Sequence, residues 1–409
     1  MIYFDRKMKT DMCKGVRILN ANPYTPGAGF MPAFLAGREH LLDNADMYLR
    51  SIQKRYPQQS VIYYGLRGVG KTVLLNAIEQ VADNLDILNT HIEATESEKF
   101  TGRLLTALNK FAHEVSLKEA AKDLARRCSD LLKSFALTYK IEDGSIKLGI
   151  NPDIELSSGV YADDLTEIFL QLGKAAQKSE DTICIFIDEA QYLKEEEIGG
   201  LIVAVHRCNQ LRLPIMLFCA GLPKIKKSVG EACSYAERLF RFEEIGALSN
   251  EEATAAICEP ARDFDVTFEE RAVQKILEIT AGYPYFIQEF CSVIWKRVDD
   301  VATIMLSDVI EAEEQFYSVL DKGFFSVRYE RCSAGQKAFM TAMVKCGGGP
   351  CEISCVAKVL KKGVRTISPV RGQLISKGMI YSTGYAEIDF TVPQFDGFIR
   401  RMNPGLNLD

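Results

Sequence analysis

Histidine is scarce, four in 409 residues, and no apolar run approaches the ~20 residues that a membrane helix needs. No histidine-based metal or triad constellation forms around His206, and the first residues, Met1 to Lys9, lack the apolar core of a signal peptide. We therefore expect a cytoplasmic protein without membrane contact. Paired C-x2-C knuckles are also absent. Cys332, Cys346, Cys351 and Cys355 share one short region, but their spacings do not suit a structural zinc site, and no metal is assigned to them. The twelve cysteines, several inside apolar strands or helices, are expected to be reduced, buried thiols. At 47% hydrophobic and 25% charged residues, the composition is that of a globular chain of two or three domains.

What is present centres on Ser60-Val-Ile-Tyr-Tyr-Gly65-Leu66-Arg67-Gly68-Val69-Gly70-Lys71-Thr72-Val73. A short buried strand, a glycine-rich turn and an amphipathic helix follow one another, and the turn fits the phosphate-binding pattern G-x-x-x-x-G-K-[ST]. Residues Gly65 to Val73 would wrap phosphates with backbone N–H groups and the helix N-terminus. Lys71 would reach the outer phosphates, and the Thr72 hydroxyl would hold Mg²⁺. A second stretch, Thr182 to Gln191, runs five apolar residues into Asp188-Glu189, as a central parallel strand with carboxylates at its C-terminal edge should. Asp188 is the expected Mg²⁺ partner, and Glu189 the base for an attacking water. Together the two stretches call for ATP or GTP.

Phe34-Leu35-Ala36-Gly37-Arg38-Glu39 reads as an apolar approach, a glycine turn and a helix start. It resembles the element that lies against adenine in AAA+ ATPases of the origin-recognition type and in the related STAND signalling ATPases. Ala281-Gly282-Tyr283-Pro284 likewise resembles their G-x-P element, whose proline packs on adenine. On that resemblance Gly37, Arg38 and Pro284 are nucleotide contacts, and ATP is the nucleotide. The same resemblance makes Arg238, before the last core strand, the candidate arginine finger for a neighbour's site, with Arg241 in reserve. A local ion pair to Glu237 or Glu243 is the competing reading. It also implies a polar side chain at the tip of the strand Leu213 to Gly221, where Cys219, Ala220 and Gly221 stand instead, so slow hydrolysis is expected.

The resemblance implies an α/β P-loop core of AAA+ type with an all-α lid and a C-terminal winged helix-turn-helix. Expected boundaries are a lead at 1–33, a core at 34–248 with an insertion at about 99–156, a lid at 249–325 and the winged helix at 332–402. Within the insertion, Leu137 to Ile150 alternates about Asp143-Gly144 and predicts a β-hairpin. Ser249-x-x-Glu252 and Thr267-x-x-Glu270 predict capping boxes, Ser333-x-x-Gln336 caps a helix of the last module, and Ser368-Pro369 starts a third helix there.

Residues 332–409 hold 10 Lys+Arg against 5 Asp+Glu, while the remainder holds 39 against 50. A basic module on an acidic body hints at nucleic acid. Lys361, Lys362, Arg365 and Gln373 are the candidate DNA contacts, although the outward face of the third helix offers little for base readout. The reading is an ATP-binding, slowly hydrolysing switch whose C-terminal module acts on DNA. The alternative is a signalling ATPase that self-assembles or binds a protein partner.

Overall fold

The computed structural model describes residues 21–95, 99–141, 157–232, 238–298 and 302–405. Its centre is a five-stranded parallel sheet built from β1 (Ser60–Tyr64), β2 (Leu88–Glu93), β3 (Ile183–Asp188), β4 (Ile215–Gly221) and β5 (Phe240–Glu244), in spatial order β2-β3-β4-β1-β5. Alternate residues of each strand enter different cores. Val61, Tyr63, Phe186 and Phe218 pack with α1 (Glu39–Gln53) and α2 (Lys71–Asn84). Ile62, Ile185, Ile187 and Leu217 pack on the opposite face with α3 (Phe100–Ser116), α4 (Lys122–Thr138), α5 (Tyr161–Lys178) and α6 (Glu195–Gln210). Both faces are covered, which is why β3 and β4 are apolar almost throughout rather than alternating. The rings of Tyr63, Phe218 and Phe186 stack across three neighbouring strands at 6.4 and 5.6 Å.

The chain leaves the sheet through α7 (Lys224–Ala232) and β5, then becomes helical: α8 (Asn250–Arg262), α9 (Glu270–Thr280), α10 (Pro284–Trp295) and α11 (Leu306–Val319), with a two-strand pairing of β6 (Thr267–Phe268) and β7 (Thr303–Ile304). A π-helical turn, Leu320–Phe325, runs on into α12 (Ser326–Glu330). The last module contains α13 (Ala334–Lys345), β8 (Cys351–Glu352), α14 (Ile353–Val359), α15 (Val364–Ser376), β9 (Ile380–Gly384), β10 (Glu387–Phe390) and α16 (Phe395–Met402). Its strands form an antiparallel sheet in the order β8-β10-β9. One continuous apolar core joins this module to helices α8 to α11, with Phe286, Phe316, Phe325 and Phe398 among its members. Among the described residues no helix is long and apolar enough to cross a membrane.

Four expectations are corrected. Leu137 and Thr138, placed in a hairpin, are the last turn of α4, because Leu132, Phe135 and Ala136 continue its buried stripe against the core. Lys140 then turns left-handed (φ 50°), and Ile141 N–H bonds to Ala136 O at 2.9 Å, a Schellman closure. The rest of the hairpin, 142–150, lies outside the described residues. Thr267 caps no helix; its hydroxyl turns to Ala302 O and Thr303 in the β6–β7 pairing, and α9 starts behind Glu269. The Ser249 and Ser333 boxes do form. α15 begins at Val364, a turn before Ser368-Pro369, because burial of Ile367 and Leu374 carries the helix through the proline. Not all cysteines are free: Cys346 and Cys355 are bonded to each other, whereas Cys332 and Cys351 are buried thiols.

Candidate functional site

The loop between β1 and α2 is shaped by its glycines. Gly68 and Gly70 have φ of 84° and 89°, the left-handed region that side chains rarely adopt, and a β-carbon at Gly65 would collide with the Ile245 carbonyl on β5's exit. Gly65 N–H bonds to Gly221 O at 3.2 Å, anchoring the loop to the tip of β4. Lys71, first residue of α2, folds back: its Nζ donates to Gly65 O (3.0 Å) and Leu66 O (2.7 Å). Burial pulls the Lys71 ammonium down to about 8, against the opposing pull of Glu189 and Asp188, with Arg67 adding to the descent.

β3 delivers its acids to the same edge. The Thr72 hydroxyl donates to Asp188 Oδ2 at 2.6 Å, and Asp188 Oδ1 accepts the Glu189 N–H at 2.7 Å. Glu189 sits left-handed at φ 50°, which aims its carboxylate sideways, where Arg67 Nη1 lies 3.5 Å away and the Gln191 amide donates to it. Gln191 in turn accepts the Leu222 N–H at 2.8 Å, and Arg67 Nη2 donates to the Tyr192 hydroxyl at 3.2 Å. Two hard oxygen donors, Thr72 and Asp188, therefore stand side by side at the head of α2. They are donors of the type Mg²⁺ takes.

A cavity of about 850 Å³ runs from these residues to an apolar end that includes Phe34, Ala36, Leu248, Ala256 and Pro284. Gly37 (φ 66°) lies against the Glu252 carboxylate, where no β-carbon would fit. Arg38 lines the cavity, but its guanidinium is turned to backbone, donating to Val69 O (3.2 Å) and Gly246 O (2.8 Å). Here Arg38 braces the loop to the exit of β5.

Several contributors escaped the sequence reading. Residues 21–33 are a packed strap: Tyr24 is buried in the lid core and donates to Ile257 O, Thr25 N–H bonds to Gln288, and Asn76 donates to Gly29 O at 3.0 Å. The Asn22-Pro23 and Pro26-Gly27 turns were visible, but nothing local marks Tyr24 as core. Tyr285 N–H bonds to Gly68 O at 3.1 Å, tying α10 to the loop. The last module reaches the site too: Arg67 N–H bonds to Thr391 O at 3.2 Å, and Lys377 and Gly378 line the cavity, as does Arg328 on α12 ahead of that module. Lys377 Nζ is held by Arg331 O (2.8 Å) and Gln336 (3.0 Å).

Other predicted residues lie elsewhere. Arg238 is exposed at the N-terminal end of β5, the sheet edge opposite the loop, so it does not join this chain's own site. Its carbonyl accepts from Gln59, while Arg241 lies over the Tyr48 ring and 4.0 Å from Glu243. Lys361, Lys362 and Arg365 are exposed around the start of α15. Gln373 is exposed but its carbonyl accepts from Gln336 Nε2 at 3.0 Å.

A glycine loop heading α2, with an acidic pair one strand removed across β4, defines a P-loop nucleotide-binding core. Residues 35–217, a little under half of the chain, match the family described as "AAA ATPase domain", which supports a P-loop ATPase core with ATP as the implied nucleotide. Residues 322–399 match "Domain of unknown function (DUF8462)". No curated protein matches the chain. Among solved structures, a Walker-type ATPase of Pyrococcus abyssi is similar at 14% identity and TM-score 0.55, over 93% of this chain and 99% of that one. The Aeropyrum pernix Orc1 protein in complex with DNA (16% identity, 90% and 94% covered) and Thermotoga maritima RuvB (16%, 87% and 92%) each superpose with a TM-score of 0.44. At such identity the first bears on fold alone, and the other two bear on nothing further.

Proposed function

We propose that the chain is an ATP-driven switch with slow hydrolysis, whose residues 332–402 act on DNA as a winged helix-turn-helix. The observation that carries the switch is the bond from Arg67 N–H, inside the phosphate loop, to Thr391 O in the last module. A nucleotide that recruits the loop's N–H groups competes with that bond, so phosphate binding and the module's position are linked. Lys71 exchanges its two loop carbonyls for the outer phosphates. Thr72 and Asp188 would hold Mg²⁺, which supplies charge neutralisation for the phosphates when bound. Glu189 accepts the proton of the attacking water once Arg67 and Gln191 release it, and that need for release, with Cys219, Ala220 and Gly221 at the tip of β4, supports slow turnover. Arg238 is retained as a finger toward a neighbouring copy, a role that its exposed position allows. The placement of Gly37, Arg38 and Pro284 at the adenine end rests on the family resemblance and on the lining of the cavity by Arg38 and Pro284, with Gly37 between Ala36 and Arg38 in the chain.

The order helix, short strand, two helices and a two-stranded wing supports a winged helix, and the exposed Lys361, Lys362 and Arg365 support phosphate contacts. One observation favours the rival, a signalling ATPase with a protein partner: Gln373 is engaged by Gln336 and Arg371 by Ser382, which leaves the outer face of α15 poor in free base-reading groups. The experiment measures ATP affinity and turnover for wild type, Lys71→Ala and Glu189→Gln, with DNA retention across a salt series. Glu189→Gln should bind ATP like wild type and stop hydrolysis, and Lys71→Ala should fail to bind. Replacing Lys361, Lys362 and Arg365 together by Ala should flatten the log–log salt slope by about three. A wild type that binds ATP without turnover removable by Glu189→Gln ends the enzyme reading. An unchanged salt slope in the triple variant transfers the output to a protein partner.

A further inference from the structure

The cavity contains a cation that the phosphate loop does not supply. Arg328, on α12 beyond the lid helices, is part-buried and lines the cavity with Arg67, Lys71 and Glu189. Its guanidinium lies over Phe324, 4.0 Å from the ring centre, and its Nη1 donates to Phe324 O at 2.6 Å. Phe324 stacks on Tyr285 at 4.6 Å, and Tyr285 N–H is bonded to Gly68 O. A continuous ladder thus runs from the phosphate loop through two rings to the guanidinium and positions it at the cavity.

No carboxylate pairs with Arg328 among the described residues, and Nε and Nη2 make no bond to protein there. Burial lowers its affinity for the proton to about 10, and the neighbouring charge of Arg67 pushes the same way, with Arg331 adding to it. Two guanidiniums and an ammonium converge on one cavity, where Glu189 is the carboxylate within electrostatic reach of Arg328 and is already paired with Arg67; a part-desolvated cation without an ion-pair partner of its own costs stability. Such an arrangement is offset by an anion bearing several oxygens, for which the flat fork of N–H donors suits a phosphate. Glu189, the candidate base, is also within electrostatic reach of Arg328, which sets the guanidinium at the hydrolysed end of a nucleotide rather than at its base.

Resting on the ATP reading above, we propose that Arg328 binds the terminal phosphate of ATP from within the same chain, making the segment between lid and last module the element that distinguishes ATP from ADP. Loss of that phosphate leaves Arg328 again without a counter-ion, and α12, continuous with the π-helical turn on one side and close to α13 on the other, transmits the difference to the last module.

The test is calorimetric titration of the full chain with ATP and with ADP, for wild type, Arg328→Met and Arg328→Lys. Met keeps the apolar contact with Phe324 and removes the charge. The expected result is that Arg328→Met weakens ATP by about tenfold or more while ADP stays within about twofold, and that Arg328→Lys recovers part of the loss. An ATP-to-ADP affinity ratio equal to wild type in Arg328→Met overturns the proposal while leaving nucleotide binding intact. A wild type that binds neither nucleotide overturns the ATP reading itself. Thermal melts of each variant accompany the titrations, and if Arg328→Met does not fold, Arg328→Gln carries the same comparison.

Discussion

Lys71 should make ATP affinity depend on pH in a range where an ordinary lysine is silent. Burial beneath the phosphate loop lowers its pKa from 10.5 to about 8 in the ligand-free protein. The triphosphate needs the charged form and, once bound, restores the pKa toward its usual value. With a free-state pKa of about 8, roughly three quarters of Lys71 is charged at pH 7.5 and about a tenth at pH 9, so affinity should fall about eightfold between them. An unperturbed lysine would give a change of only a few per cent over that interval. The ligand-free fold responds with the opposite sign. Because the folded pKa lies below the unfolded one, charged Lys71 opposes folding at neutral pH, and this cost, on the order of 3 kcal/mol, is relieved as pH rises from about 8 toward 10.5. The assay is a binding titration from pH 7.5 to 9.5 at constant ionic strength, beside urea melts of the ligand-free protein. Lys71→Arg, which cannot lose its proton, serves as the control for other titrations. A wild-type affinity that is flat across this range, or that matches the profile of Lys71→Arg, refutes the buried, depressed lysine.

Two further predictions concern the scaffold of the site. Gly65→Ala forces a methyl group onto the Ile245 carbonyl, a backbone atom held in the sheet, and should lower stability by about 3 kcal/mol or more in urea melts; a loss under about 1 kcal/mol would show that the loop relaxes freely. Tyr24→Phe removes the buried hydroxyl that donates to Ile257 O and should cost about 1 kcal/mol, while Tyr24→Ala should cost about 3 to 5 kcal/mol by opening a cavity beside Trp295. Equal effects from both substitutions would mean that the hydroxyl, not the ring, ties the strap down.

The sequence by itself determined the chemistry of the phosphate end. Glycines at fixed intervals before Lys71-Thr72 permit the left-handed turns that a phosphate loop needs, and an apolar run ending in Asp188-Glu189 has the pattern of a buried parallel strand with its acids at the edge. Such signals are local, since backbone sterics and burial on both faces act within a few residues. The Ser249 and Ser333 caps were legible for the same reason, while Thr267 was not, because a distant strand at Thr303 outcompeted the helix for its hydroxyl. Only the tertiary structure decided that Arg38 turns to carbonyls, that Tyr24 is core, and that Thr391 and Arg328 reach the phosphate loop from more than 250 residues away in the chain. Those contacts join surfaces whose sequences carry no mutual pattern. They exist because one apolar core welds the lid helices to the last module and so presents that module's edge to the open side of the cavity.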